Sequence, residues 1–272
     1  MSRATQPHTT FRWENAHAAE RKDQLAVEEP LEIRVAGDTV AITMRTPGQD
    51  ERLTAGFLLS EGIIESLRDV SRIFHCGRPG TDEFENTIDV LPAAGHTLDV
   101  SGIEHSRRGT LTTSACGVCG RQTIEDLLER CQVFGEVAPI SAELVSASVG
   151  RLRDHQPAFD KTGGLHGVAV FDESGQVLAA AEDIGRHNAV DKVVGQLLYD
   201  GNKTPLLLAV SGRASFEMVQ KAATARIPFV ASVSAASTLA VKLADQIGIT
   251  LAGFVRGPAF NIYTHPGRIL QP

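Results

Sequence analysis

The residues best suited to chemistry in this sequence are two cysteines three positions apart. Cysteines occur at 76, 116, 119 and 131, and only Cys116 and Cys119 are close enough to act together. A thiol reacts as its thiolate, so a working cysteine needs a lowered pKa and access for its partner. The stretch Cys116-Gly-Val-Cys-Gly-Arg121 offers both. Its glycines let a bulky partner reach the sulfur, and Arg121, Arg107 and Arg108 add positive charge. A helix predicted over Gln122–Arg130 would point free N–H groups and the positive end of its dipole at the same place.

Three chemistries fit a close cysteine pair. A structural zinc site needs four ligands, normally as two pairs. Here Cys76 and Cys131 are isolated and His75 would have to fold in from afar, so zinc is disfavoured and no metal site is expected. A dithiol of the thioredoxin kind suits the spacing, although a polar loop rather than a buried strand precedes the pair. Persulfide transfer suits a mobile loop best, because the sulfur must visit two partners. The spacing alone does not choose. Cys76 and Cys131 read as small hydrophobic residues at the ends of elements.

The surrounding elements must position that loop. Residues 1–25 read as a loose polar tail. Leu31, Ile33 and Val35 alternate up to Ala36-Gly37-Asp38, and Val40, Ile42 and Met44 continue, which predicts a hairpin. Thr46-Pro47 reads as the cap and first residue of a helix reaching about Leu59. Strands over Val70–Phe74 and Thr87–Leu91 complete a small α+β unit, 26–140, ending in the cysteine loop (101–120) and its helix. From 141 to 272 the pattern is more regular. A helix over Ala142–Arg153 precedes a hairpin, Gly167–Phe171 with Val177–Ala181 about Ser174-Gly175. A helix over Asn188–Tyr199 follows, then strand Leu206–Val210 and helix Ser215–Ala225. Strand Phe229–Val233, helix Ser237–Ile247 and strand Thr250–Val255 end the run. Strands alternating with helices predict an α/β layer fold.

Composition narrows the partners. The formal charge is −7, so no global basic field exists for nucleic acid. No apolar run approaches the roughly 18 residues a membrane span needs. The first 30 residues lack the apolar stretch of a signal peptide, so the expected location is the cytoplasm. In the second half, small polar residues gather at three strand-to-helix junctions: Asp183–Asn188, Ser211–Ser215 and Ser234–Ser237. Each serine reads first as a helix cap. Arg186 and Arg213 are different, because a cap needs no arginine: either a ligand phosphate or a surface ion pair would account for them.

Several of these stretches, taken together, resemble the FdhD-type formate dehydrogenase accessory sulfurtransferases. The resemblance rests on Cys116-Gly-Val-Cys-Gly120, Glu182-Asp-Ile-Gly-Arg-His187 with Asp191-Lys192, and Ser211-Gly-Arg-Ala-Ser-Phe-Glu-Met-Val-Gln-Lys221. Val233-Ser-Ala-Ala236, Gly253-Phe254, Tyr263-Thr-His-Pro266 and Leu59-Ser-Glu-Gly-Ile-Ile64 extend it across nearly the whole chain. It implies a sulfurtransferase that takes persulfide sulfur from a cysteine desulfurase and passes it to bis-molybdopterin guanine dinucleotide. That cofactor, bound as cargo, then enters the client, formate dehydrogenase. It also implies that Cys116 carries the persulfide with Cys119 assisting, and it is compatible with a homodimer. The cofactor would be lined by Phe254, Val255, Arg256, Gly257, Pro258 and Ala259, where Arg256-Gly-Pro-Ala259 departs from the family's Lys-Pro-Gly-Arg. The C-terminal domain is implied to be cytidine deaminase-like, an α/β three-layer unit beside the smaller α+β one. Deamination does not follow, since His187 is followed by Asn and Ala and no cysteine occurs after Cys131.

Overall fold

The computed structural model describes residues 4–100, 133–201 and 203–270. Its first elements are β1 (Thr5–Glu14) and β2 (His17–Ala26), an antiparallel pair turning at Asn15-Ala16, both with positive φ. This corrects the loose tail expected from the sequence. The hairpin was hidden because neither strand has an apolar face; Phe11 and Trp13 are exposed rather than buried.

Next come β3 (Glu29–Val35), β4 (Asp38–Arg45), α1 (Asp50–Ser60), β5 (Val70–His75), α2 (Asp82–Asn86) and β6 (Thr87–Pro92). The strands form one sheet in the order β4-β3-β6-β5, with β3 and β6 parallel. The alternation seen in the sequence does its work here. Leu31, Ile33, Ile88 and Val90 point to one face, where Leu53 and Leu58 of α1 cover them.

Helix α1 begins at Asp50, three residues later than one opened by Pro47 would begin. Gln49, in the left-handed region at φ 59°, stands at the N-cap without a side-chain cap bond. The reason is tertiary: Thr46 is committed elsewhere. Its N–H donates to Asp183 (3.1 Å), its hydroxyl accepts from Ile184 N–H (3.1 Å), and its carbonyl accepts from Lys192 Nζ (2.8 Å).

The second half starts with β7 (Ile140–Ser141), α3 (Ala142–Arg151) and α4 (Pro157–Thr162). It continues with β8 (His166–Phe171), β9 (Val177–Asp183), α5 (Arg186–Asp200), β10 (Leu207–Val210) and α6 (Phe216–Thr224). Then follow β11 (Phe229–Ser232), α7 (Thr238–Ile247), β12 (Thr250–Arg256), β13 (Ala259–Ile262) and β14 (Ile269–Leu270). Six strands pair in the order β13-β12-β11-β10-β8-β9. Strands β10, β11 and β12 are mutually parallel; β9 shares their direction because β8 runs antiparallel to both β9 and β10.

Strand residues point alternately to the two faces. Val168, Val170, Leu208 and Val230 meet α5, α6 and α7 on one side. Ala169, Phe171, Leu207 and Phe229 meet Val145 and Val149 of α3 on the other. The fold is therefore mixed α/β, with helices on both faces of its larger sheet. Among the described residues no helix is long and apolar enough to cross a membrane.

Candidate functional site

The topology brings the ends of β9, β10, β11 and β12 to one edge of the larger sheet. The first three strands feed directly into α5, α6 and α7, so the three polar junctions lie side by side there. They are stitched together. Ala214 N–H donates to the Ala235 carbonyl (3.0 Å) and Ser237 N–H to that of Ala214 (3.0 Å). Ser232 Oγ donates to the Gly212 carbonyl (2.6 Å), and Ser211 Oγ accepts from Gly167 N–H (2.9 Å). Of the junction serines, Ser237 caps its helix as expected, accepting from Ala240 N–H at 3.2 Å. Ser215 stands at the N-cap of α6 without capping it, and its buried hydroxyl meets no partner among the described residues.

Beneath this edge lies a buried polar frame. Asp183, fully enclosed, accepts from Thr46 N–H, Gly185 N–H (2.8 Å) and Asn188 Nδ2 (3.2 Å), and pairs with Lys192 at 2.6 Å. Burial pushes the Asp183 pKa up, and Lys192 opposes that rise. The neighbouring Glu182 turns the other way and accepts from the first N–H groups of α4, Ala158 (2.9 Å) and Phe159 (2.6 Å). Asn188 Nδ2 also donates to the Met44 carbonyl (2.7 Å), and its Oδ1 accepts from Thr43 (3.0 Å). The end of β4 is thereby bolted to the start of α5.

A second pair lies one helical position along. Asp191 accepts from Lys221 at 2.7 and 2.9 Å and from Ser60 Oγ at 3.0 Å. Burial penalises the Lys221 ammonium, but Asp191, with Glu61 and Glu217, outweighs it and raises its pKa. The segments containing Ser60-Glu61, Asp191-Lys192 and Lys221 are thus parts of one interior, though far apart in sequence.

Above the frame stand the basic side chains. His166 opens β8 opposite Asp183. Arg186 and His187 open α5, and Arg213 lies in the β10–α6 junction. Gly212 makes room for two of them. A Cβ there would lie 3.3 Å from His166 Nδ1 and 3.6 Å from Arg186 Cδ, tight enough against the ring to force a shift. His187 pairs with Glu217 of α6. Arg186 and Arg213 have no acidic partner among the described residues, and Arg186 Nε is buried without a hydrogen bond. Of the two explanations open for these arginines, the ion pair is not seen among the described residues. Burial, with the charges of Arg186, His187 and Arg213, holds the His166 pKa below the usual imidazole value, while Asp183 acts in the opposite sense.

The stretch from Phe254 to Ala259 flanks the same edge. Phe254 is exposed, in the left-handed region at φ 54°, within a bulge of β12 spanning Gly253 to Arg256. Its N–H donates to the Ser234 carbonyl (3.0 Å), which joins the bulge to the β11–α7 junction. A positive φ on an aromatic residue is uncommon and marks a conformation imposed by its surroundings. Val255 turns inward into the core and offers no side chain to this edge. Arg256, Gly257, Pro258 and Ala259 form the exposed turn into β13. Strand β12, which carries Phe254, lies two strands from β10, which leads into the junction of Arg213.

Cys116 and Cys119, with Arg107, Arg108, Arg121 and the helix expected after them, lie outside the described residues. Cys76 is partly buried at the end of β5, its N–H donating to the Thr87 carbonyl at 2.9 Å. His166, Gly212, Ser215 and Glu217 were not singled out by sequence reasoning as site residues. The last three sit inside the Ser211–Lys221 stretch; His166 carries no local signal, since it joins the edge only through strand pairing.

The protein is of the mixed α/β class, and Arg186 and Arg213 stand where its parallel strands end and its helices begin, the place where such sheets commonly hold ligands and where helix starts favour anions. The particular family follows from comparison with known proteins. The sequence matches the FdhD/NarQ family over residues 26–270, and the chain belongs to that family. It is 50% identical to the sulfur carrier protein FdhD of Anaeromyxobacter sp. (strain K) over 256 residues, covering 91% of this chain and 89% of the relative. The protein of that name in Streptomyces coelicolor is 43% identical over 277 residues, covering 99% and 97%. That of Mycobacterium tuberculosis is 46% identical over 263 residues, 92% of each. A crystal structure from Desulfotalea psychrophila, of a protein assigned as a formate dehydrogenase accessory protein, shares the fold. Its TM-score is 0.75 at 24% identity, covering 98% of this chain and all of that one.

Proposed function

We propose that this chain is a sulfurtransferase that carries sulfane sulfur on Cys116 and delivers it to a molybdenum cofactor destined for formate dehydrogenase. The observation that carries this reading is that Arg186 and Arg213 stand at the strand-end edge without an acidic partner among the described residues. A cargo bearing two diphosphates, bis-molybdopterin guanine dinucleotide, supplies the matching charge. The names of the relatives, which cover nearly all of this chain, support a sulfur-carrier role. The cytidine deaminase-like layering belongs to the same reading: helices on both faces of the larger sheet suit it.

The chemistry asks little beyond a reactive thiolate. Cys116 thiolate attacks the outer sulfur of a cysteine desulfurase persulfide; that S–S bond breaks, the donor leaves as thiolate, and the proton stays on the new Cys116–S–SH. Delivery then takes place at the strand-end edge. Should Cys119 thiolate attack the inner sulfur, hydrosulfide leaves and a Cys116–Cys119 disulfide forms, which a cellular thiol must reduce before the next round.

Intact-mass spectrometry after incubation with a cysteine desulfurase and cysteine tests the assignment. Wild type and Cys119→Ala should each gain one sulfur, and Cys116→Ala none. Sulfur gained by Cys116→Ala would move the acceptor to Cys119. Equal loss in both variants would favour a dithiol enzyme.

A further inference from the structure

Two members of this edge, His166 and His187, carry side chains whose charge is adjustable near neutral pH, and His187 is paired with Glu217. The His166 ring stands at the start of β8, packed against Gly212, with Arg186 against the same glycine. Among the described residues neither ring nitrogen has a hydrogen-bond partner, and Arg186 and Arg213 lack counter-ions as well. The charged and titratable groups facing the ring are Arg186 and His187 from α5, Arg213 from the β10–α6 junction, and Asp183 from β9. Asp183 is already bound to Lys192, and His187 to Glu217. Among the described residues, then, His166 faces two guanidiniums that no acid pairs.

We infer that His166 is a proton-linked ligand group: a phosphate-class anion seated between Arg186 and Arg213 binds together with a proton on the His166 imidazole. This rests on the proposed reading of the edge as the place where an anionic cargo is held. The balance is simple. The anion brings two negative charges, the two guanidiniums lose their mutual isolation, and the ring takes one proton from solvent to donate a hydrogen bond to a phosphoryl oxygen. Nothing is oxidised and no covalent bond other than N–H forms.

The sign of the coupling follows. Burial and the neighbouring cations lower the His166 pKa from the usual imidazole value. An anion beside the ring favours the imidazolium and raises that pKa. Between the two values binding takes up a proton, and affinity tightens as pH falls, at most tenfold per pH unit for one linked proton. Above the bound-state pKa the coupling vanishes. A cargo held this way is released most readily by a client surface that is basic enough to compete for the phosphoryl oxygens.

The probe is guanosine diphosphate, bound to the full chain and followed by calorimetry in buffers of differing ionisation enthalpy between pH 6 and 8. Wild type should take up more protons near pH 6.5 than His166→Gln does, the difference approaching one per nucleotide. The nucleotide's own proton release is common to both proteins and cancels. The ring NMR signal of His166 in wild type should also titrate at higher pH when nucleotide is bound, a readout that does not depend on the variant folding. Binding with equal proton uptake in both proteins, or an unmoved His166 titration, overturns the inference while leaving the edge as an anion site. Failure of wild type to bind at any pH overturns the edge reading together with it.

Discussion

Gly56 of α1 and Gly195 of α5 each lie directly on the backbone of the other's helix. A Cβ at Gly56 would stand 2.0 Å from the Asp191 carbonyl oxygen, and one at Gly195 would stand 1.8 Å from that of Arg52. No side chain fits at either point. The two helices thus cross at backbone contact, and this closeness lets Ser60 reach Asp191 and Thr46 reach Asp183 and Lys192.

Replacing either glycine should therefore separate the helices. Overpacking of this kind costs about 1–3 kcal/mol, and the obstacle here is backbone, which has no rotamer to yield, so the upper end is expected. Urea unfolding of Gly56→Ala, Gly195→Ala and the double variant checks it. Once one methyl has opened the crossing, the second meets less resistance, so the double variant should lose less than the sum of the singles. Strict additivity would mean that the two contacts relax independently.

Much of this architecture was legible in the chain. The hairpins β3–β4 and β8–β9 announce themselves by alternating Leu, Ile and Val, and the helix–strand succession after 186 by its period. What the sequence withheld was set by distant partners. Thr46-Pro47 has the local signature of a helix start, yet Asp183, 137 residues away, claims the Thr46 N–H. His166 has no local signature at all and reaches the edge through its pairing with Asp183. Asp191-Lys192 stood out only by resemblance, and the structure supplies its physics: adjacent residues that point into two separate buried pairs. Arg186 and Arg213 were chosen because a cap needs no arginine, and the structure places both where the parallel strands end.

The Asp191–Lys221 pair makes a second prediction. Both groups are buried, and Ser60 completes the carboxylate's bonding. Removing one partner leaves the other's charge enclosed, which typically costs 3–5 kcal/mol. Lys221→Met should therefore destabilise strongly on denaturant unfolding. Lys221→Met combined with Asp191→Leu should recover part of that loss, because no uncompensated charge is left. If the double variant were worse than Lys221→Met alone, the pair would owe its stability to Ser60 and packing more than to charge.

The last prediction separates phosphate recognition from mere surface charge at Arg213. This side chain is exposed, so its loss should leave stability nearly unchanged, within about 0.5 kcal/mol. Its effect should appear in binding instead. A charge-assisted hydrogen bond to a phosphoryl oxygen is worth roughly 1.5–3 kcal/mol, or about tenfold or more in affinity. Calorimetry with guanosine diphosphate and with guanosine, on wild type and on Arg213→Ala, isolates that contribution because the ligands differ only in the diphosphate. Wild type should bind the diphosphate more tightly, and the substitution should shrink the gap by about tenfold while leaving guanosine unaffected. Arg186→Ala should shrink it as well, and more than Arg213→Ala does, since its Nε is already stripped of water and unpaired, whereas Arg213 must be drawn out of solvent. An equal gap in wild type and both variants would show that neither guanidinium meets the diphosphate, and the turn carrying Arg256 would become the next place to look.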